Sequence, residues 1–111
     1  MARYLLSIYQ PDGPAPPPES LGAIMQDVTA LTDAMKAAGA WVFMGGLHPP
    51  DTATVVRLQG EDFLTTDGPF IEGKEVVSGY TEIEVADLDE ALKMVSTWPG
   101  CPLVEIRPLE E

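Results

Sequence analysis

The chain has 111 residues, 45% of them hydrophobic, which is enough for one compact domain over residues 1–111 and too few for two. Eighteen acidic residues against six basic ones leave a formal charge of -12, which repels phosphate backbones and anionic headgroups, so neither nucleic acid nor a membrane surface is expected as a partner. A single cysteine, Cys101, rules out an intramolecular disulfide and, with one histidine, offers no metal-ligand spacing, so we expect a reducing cytoplasm, no bound metal and no cofactor.

The opening Met1-Ala2-Arg3-Tyr4-Leu5-Leu6-Ser7-Ile8 lacks the length and small-residue cleavage site of a signal peptide and reads as the start of a first strand over residues 3–9. Gln10-Pro11-Asp12-Gly13-Pro14 is a turn-forming cluster that stops it, and Ala15-Pro16-Pro17-Pro18 reads as a stiff polyproline connector. From Glu19 the apolar residues Leu21, Ile24, Met25, Val28, Leu31, Met35 and Ala38 recur at helical spacing, with Ser20 as cap, Gly39 as stop and the methionines as core filler. Trp41-Val42-Phe43-Met44 is a short buried strand halted by Gly45-Gly46. Residues 53–59 and 63–66 form a hairpin across Gly60-Glu61-Asp62. Residues 76–85 alternate, with Gly79, Thr81, Ile83 and Val85 on a buried face and Tyr80, Glu82 and Glu84 on a wet one. A second helix opens at Asp87 with Glu90 three residues on, carries Leu88, Ala91, Leu92 and Val95, and ends at Pro99-Gly100. Residues 102–107 make a last strand.

Two helices separated by antiparallel strands make an α+β, ferredoxin-like split βαβ sandwich with both helices on one sheet face. A chain this short has no third layer, so the other face calls for a second copy and a symmetric homodimer. A pocket between the helices or at the sheet interface is where a small ligand fits.

The most distinctive stretch is Thr66-Asp67-Gly68-Pro69-Phe70, followed by Ile71-Glu72-Gly73-Lys74-Glu75. Asp side chains bond to backbone two residues on, Gly accepts positive φ and Pro forbids a continuing ladder, so a rigid reversal is expected here. Two readings stand side by side: a structural turn with solvated charges, or a turn that holds Asp67 at the mouth of a pocket.

Tyr4-Leu5-Leu6-Ser7-Ile8-Tyr9, Gly46-Leu47-His48-Pro49-Pro50 leading to Thr52-Ala53-Thr54-Val55-Val56-Arg57, this turn with Lys74-Glu75, Gly79-Tyr80 and Asp87-Leu88-Asp89-Glu90-Ala91, in that order, resemble the DGPF branch of the YCII-related proteins. The resemblance covers nearly the whole chain. It implies a ferredoxin-like unit that dimerises into an α+β barrel, a cytoplasmic bacterial setting, a mostly undefined function and a link to sigma factors of the extracytoplasmic-function class. The wider group includes small-molecule lyase or dehydrochlorinase-type enzymes with a His near the first helix and an Asp near the end of the second as an acid/base pair. Here the first helix has no His and the second ends Thr97-Trp98-Pro99-Gly100, so that pair does not carry over.

The remaining candidates are scattered along the chain. His48, the only histidine, is either a general base oriented by Asp67 or Glu75, or a loop residue with a structural hydrogen bond. Arg57, among Val55, Val56 and Leu58, either clamps a carboxylate-bearing ligand or pairs with a surface acid. Lys74 and Tyr80 either line a pocket near the turn or decorate it. Cys101 has neither a neighbouring base nor a helix N-terminus, which argues against a reactive thiol. No phosphate loop, dinucleotide fingerprint or nucleophile elbow occurs. Two functions fit these residues. One is a small-molecule-binding or regulatory homodimer, with a small organic acid as ligand. The other is a cofactor-independent lyase or isomerase in which His48 moves a proton, Asp67 orients it and Arg57 anchors an acidic substrate.

Overall fold

The computed structural model describes residues 1–13, 17–71, 73–98 and 102–110. Glu72, Cys101 and the expected breaker Pro99-Gly100 lie outside them, as does part of the polyproline connector. In chain order the elements are β1 (Ala2–Pro11), α1 (Pro18–Ala37), β2 (Trp41–Gly46), β3 (Thr54–Gln59), β4 (Asp62–Asp67), β5 (Glu75–Val85), α2 (Leu88–Ser96) and β6 (Leu103–Pro108), with a 3-10 turn at Pro50–Thr52. Four strands form an antiparallel sheet in the order β2-β5-β1-β6, while β3 and β4 pair only with each other. Without that hairpin the order is that of a ferredoxin-like α+β fold, so the expected fold class stands.

The alternation of β5 decides which sheet face is covered. Gly79, Thr81, Ile83 and Val85 are buried and the residues between them are only half so. β1 places Tyr4 and Leu6 opposite Ile83 and Thr81 on that same face, and Leu31 and Met35 of α1, Ala40 and Ala91 of α2 complete the core. One helix boundary differs from the sequence reading. Pro17 caps α1 and Pro18 occupies the first turn, so no side chain caps the helix and Ser20 lies inside it. Proline is already suited to that position because its missing N–H would be unpaired there anyway. At the other end, Gly39 N–H donates to Lys36 O and Ala40 N–H to Met35 O, a Schellman closure that satisfies the last carbonyls. α2 behaves as expected: Glu90 N–H donates to Asp87 Oδ1 at 3.0 Å.

β2 does not stop at Gly45-Gly46 but runs through both glycines, because its neighbour needs bare backbone there. Gly45 lies opposite Tyr80, and a Cβ at Gly45 would stand 2.8 Å from the Tyr80 hydroxyl oxygen. On β5, a Cβ at Gly79 would stand 2.9 Å from the Gly45 carbonyl oxygen. The two strands thus approach at a distance that side chains would prevent.

Coverage ends well short of the whole surface. Only Leu31 and Met35 of the α1 stripe are buried, whereas Leu21, Ile24 and Met25 are exposed, so Met25 is not the core filler the spacing suggested. The hairpin is exposed on both faces, with Phe63 at 72% and Leu58 at 62%. The radius of gyration is 16.2 Å and the molecule is only 19 Å thin along its shortest axis. A closely packed chain of this length would measure about 13 Å, so the hairpin projects as an arm. Among the described residues no helix is long and apolar enough to cross a membrane.

The strand approach and the core centre yield separable stabilities. Gly79→Ala pushes a methyl into backbone that has no rotamer to yield, and should lower the free energy of unfolding by about 1–3 kcal/mol. Ile83→Ala empties a position with no solvent exposure and should cost about 2–5 kcal/mol. Urea unfolding with unchanged m-values checks both.

Candidate functional site

The distinctive residues converge at the root of the hairpin, where five chain segments meet. Leu47 N–H still donates to Ser78 O, extending the β2–β5 ladder by one residue; then Pro49 and Pro50 end it. The prolines lead into the 3-10 turn, in which Thr52 donates from both N–H and Oγ1 to Pro49 O. At the far end of the hairpin Gly68 N–H donates to Ala53 O at 2.7 Å, with Gly68 at φ 97, a conformation that favours glycine. Asp12 N–H donates to Lys74 O, which ties the end of β1 to the same junction.

These connections frame a half-open cavity of about 740 Å³, lined by Tyr9, His48, Pro50, Val55, Phe70 and Glu75 among others. His48 and Glu75 therefore line one cavity. Asp67 does not: it lies across Pro49, Pro50 and Pro69, in a separate concavity shared with Asp12 and Asp51. Among the described residues the Asp67 side chain makes no hydrogen bond, so the expected Asx-type closure is absent and the backbone of Gly68 does that work. Arg57 sits on β3 with its guanidinium carbon 5.8 Å from the centroid of Phe70, a cation–π contact beside the His48 cavity. Lys74 is exposed and meets the junction through its carbonyl. Tyr80 does not line that cavity: it stands on the open sheet face, where its ring stacks on Phe43 with centroids 5.7 Å apart. The structure thus groups His48 with Glu75 and sets Arg57 next to Phe70, while Asp67 and Tyr80 stand elsewhere.

A second cleft, about 560 Å³, opens between the N-terminal half of α1 and the sheet, with Trp98 beyond the end of α2 at one side. Among the described residues its one carboxylate is Asp27. The sequence reading passed over Asp27, although the signal was present: Ile24, Asp27 and Leu31 share a helical face at i, i+3 and i+7, so an acid interrupts an apolar stripe. Tyr9 and Phe70 were also unforeseen as cavity walls, because only the junction brings them together. No group of three His, Cys, Asp or Glu residues positioned to hold a metal occurs among the described residues.

The Asp-Gly-Pro-Phe turn can be dissected. Asp67→Asn should leave stability within about 0.5 kcal/mol, since no hydrogen bond of the carboxylate is lost. Gly68→Ala forces a side chain into the left-handed region and should cost about 1 kcal/mol or more. Thermal or urea unfolding of the two variants distinguishes these outcomes.

The profile of the YCII-related domain matches residues 2–109. An uncharacterised protein of Rhizobium meliloti (strain 1021) is 32% identical over 90 residues, covering 78% of this chain and 73% of that protein. Together with the ferredoxin-like topology, this match over nearly the full length makes the chain a member of the YCII-related domain family.

Proposed function

We propose that this protein is a cytoplasmic homodimer that binds a small organic acid in the cavity at the hairpin root. The observation that carries the ligand site is the convergence of His48, Glu75, Tyr9 and Phe70 on one enclosure, with Arg57 beside it. Its walls are mainly apolar and its polar groups few, as in small-molecule sites generally. Arg57 supplies the fork that matches a carboxylate, and His48 a hydrogen-bonding partner for the ligand. Glu75 on the same wall accepts hydrogen bonds and repels a second negative charge. The fitting ligand therefore carries one carboxylate and a hydrogen-bond donor at its other end.

The homodimer is supported by what the helices leave uncovered. The open sheet face carries Leu5, Phe43, Tyr80, Tyr9 and Leu103 beside the ion pairs Arg3–Glu84 at 3.0 Å and Arg107–Glu105 at 3.2 Å. A hairpin that packs on nothing is marginal in water, so the β3–β4 arm also calls for a partner surface. A link to a sigma-factor system remains a suggestion of the family resemblance alone.

A second reading is acid/base catalysis without a cofactor, with His48 moving a proton and Asp67 or Glu75 orienting it. Glu75 fits that orienting role better than Asp67, because it shares the His48 cavity.

Thermal shift against a panel of small hydroxy- and amino-acids tests the ligand. Saturation at about 100 times Kd should add about 2.7 kcal/mol of stability to the wild type. His48→Ala should abolish the shift and Arg57→Ala should weaken it; equal stabilisation of wild type and His48→Ala would remove the site. Conversion of a stabilising acid, lost in both His48→Ala and Glu75→Gln, would select the catalytic reading. Sedimentation should give twice the 11.9 kDa chain mass, and a folded 11.9 kDa species at micromolar concentration would refute the dimer.

A further inference from the structure

We infer that the cleft between α1 and the sheet is a second binding site, for an organic cation: a primary amine carried on an apolar alkyl or aryl body. The walls supply the apolar half. Ile24, Met25, Val28 and Leu31 line the cleft from α1, Ile8 and Met44 from the sheet, and Trp98 from beyond α2. Exposed apolar side chains around a cavity are a surface that an apolar ligand removes from water.

Asp27 supplies the polar half. It is half-buried, and among the described residues it has neither a hydrogen bond nor an ion pair. Its neighbours three and four residues away on α1 are Ala23, Ile24, Ala30 and Leu31, so no base on the helix reaches it. It lies in the middle of α1, beyond the reach of the helix N-terminus. Among the described residues no Lys, Arg or His lines the cleft. The other polar side chains there are Gln10 and Ser78, and the Ser78 hydroxyl already donates to Ile8 O at 3.3 Å, which leaves its oxygen as an acceptor. Among the described residues the cleft thus holds one uncompensated carboxylate, with uncharged acceptors at Gln10 and Ser78 and uncharged donors on the Gln10 amide and the Trp98 indole. An ammonium group brings three donors and the missing charge, and Trp98 adds a ring face suited to a cation. A carboxylate ligand would meet Asp27 with no cation to offset it. This site takes the opposite charge class from the hairpin-root cavity and does not depend on it.

The test uses the full chain at physiological salt, which suppresses diffuse attraction of cations to a chain of charge -12. Binding of n-hexylamine, n-hexanol and n-hexanoate is compared by calorimetry and by the shift of the Trp98 indole N–H resonance. Hexylamine should bind about tenfold or more tighter than hexanol, the range expected when a charged group is hydrogen-bonded, and hexanoate weakest of the three. Asp27→Asn should bring the amine down to the alcohol's affinity, while Asp33→Asn, an exposed acid on the same helix, and His48→Ala should leave the preference unchanged. The proposal is overturned if amine and alcohol bind the wild type equally, if none of the three moves the Trp98 resonance, or if Asp27→Asn keeps the amine preference. Retention in His48→Ala separates this site from the hairpin-root cavity, so each can fail alone.

Discussion

Two helices, one of 20 residues and one of nine, must cover a four-stranded sheet, and they have apolar surface for only part of one face. That shortage governs the molecule. The core is confined to the middle of β1 and β5, the C-terminal half of α1 and the first turns of α2, where Tyr4, Leu6, Leu31, Met35, Ile83, Val85 and Ala91 are buried together. Everything distal to that centre is partly open. The N-terminal half of α1 stands off the sheet and leaves a cleft, the reverse face of the sheet stays bare, and the hairpin has no layer beneath it. Each of these open surfaces is where binding or association can take place, because each retains apolar area that water still touches.

Glycine and proline set the geometry inside this frame. Gly45 and Gly79 let β2 and β5 approach closely, and the bare backbone at Gly45 gives Tyr80 a place to lie and stack on Phe43. Pro49, Pro50 and Pro69 do the opposite work: they stop ladders and form a ridge that divides the His48 cavity from the Asp12, Asp51 and Asp67 concavity. The proline ridge is why neighbouring motifs in the sequence end up in different enclosures. It is also why Glu75, at the first residue of β5, lines the His48 cavity while Asp67 does not.

Charge separates the two cavities. At the hairpin root a histidine, a nearby guanidinium and a glutamate give an environment of mixed charge. In the helix–sheet cleft a single carboxylate stands among apolar walls. Surface ion pairs such as Arg3–Glu84 and Lys93–Glu90 are solvated and contribute little to stability.

The elements and their order were readable in the chain because their signals are local. Period-two alternation from residue 76 to 85, Asp87 with Glu90, and the Gly39 stop each act through neighbours a few residues away, and the helix count and strand count allow few topologies. What sequence spacing could not report was depth. Leu21, Ile24 and Met25 carry the same periodicity as Leu31 and Met35, yet only the latter lie over the sheet. Neither could it report which side of the proline ridge Asp67 faces, that β2 continues through two glycines, or that Tyr80 stacks on Phe43 instead of lining the His48 cavity. Those outcomes depend on contacts between residues far apart in the chain, where the approach of one backbone to another decides the position of a side chain. Local composition determined what the segments are; only their packing decided which residues share a cavity.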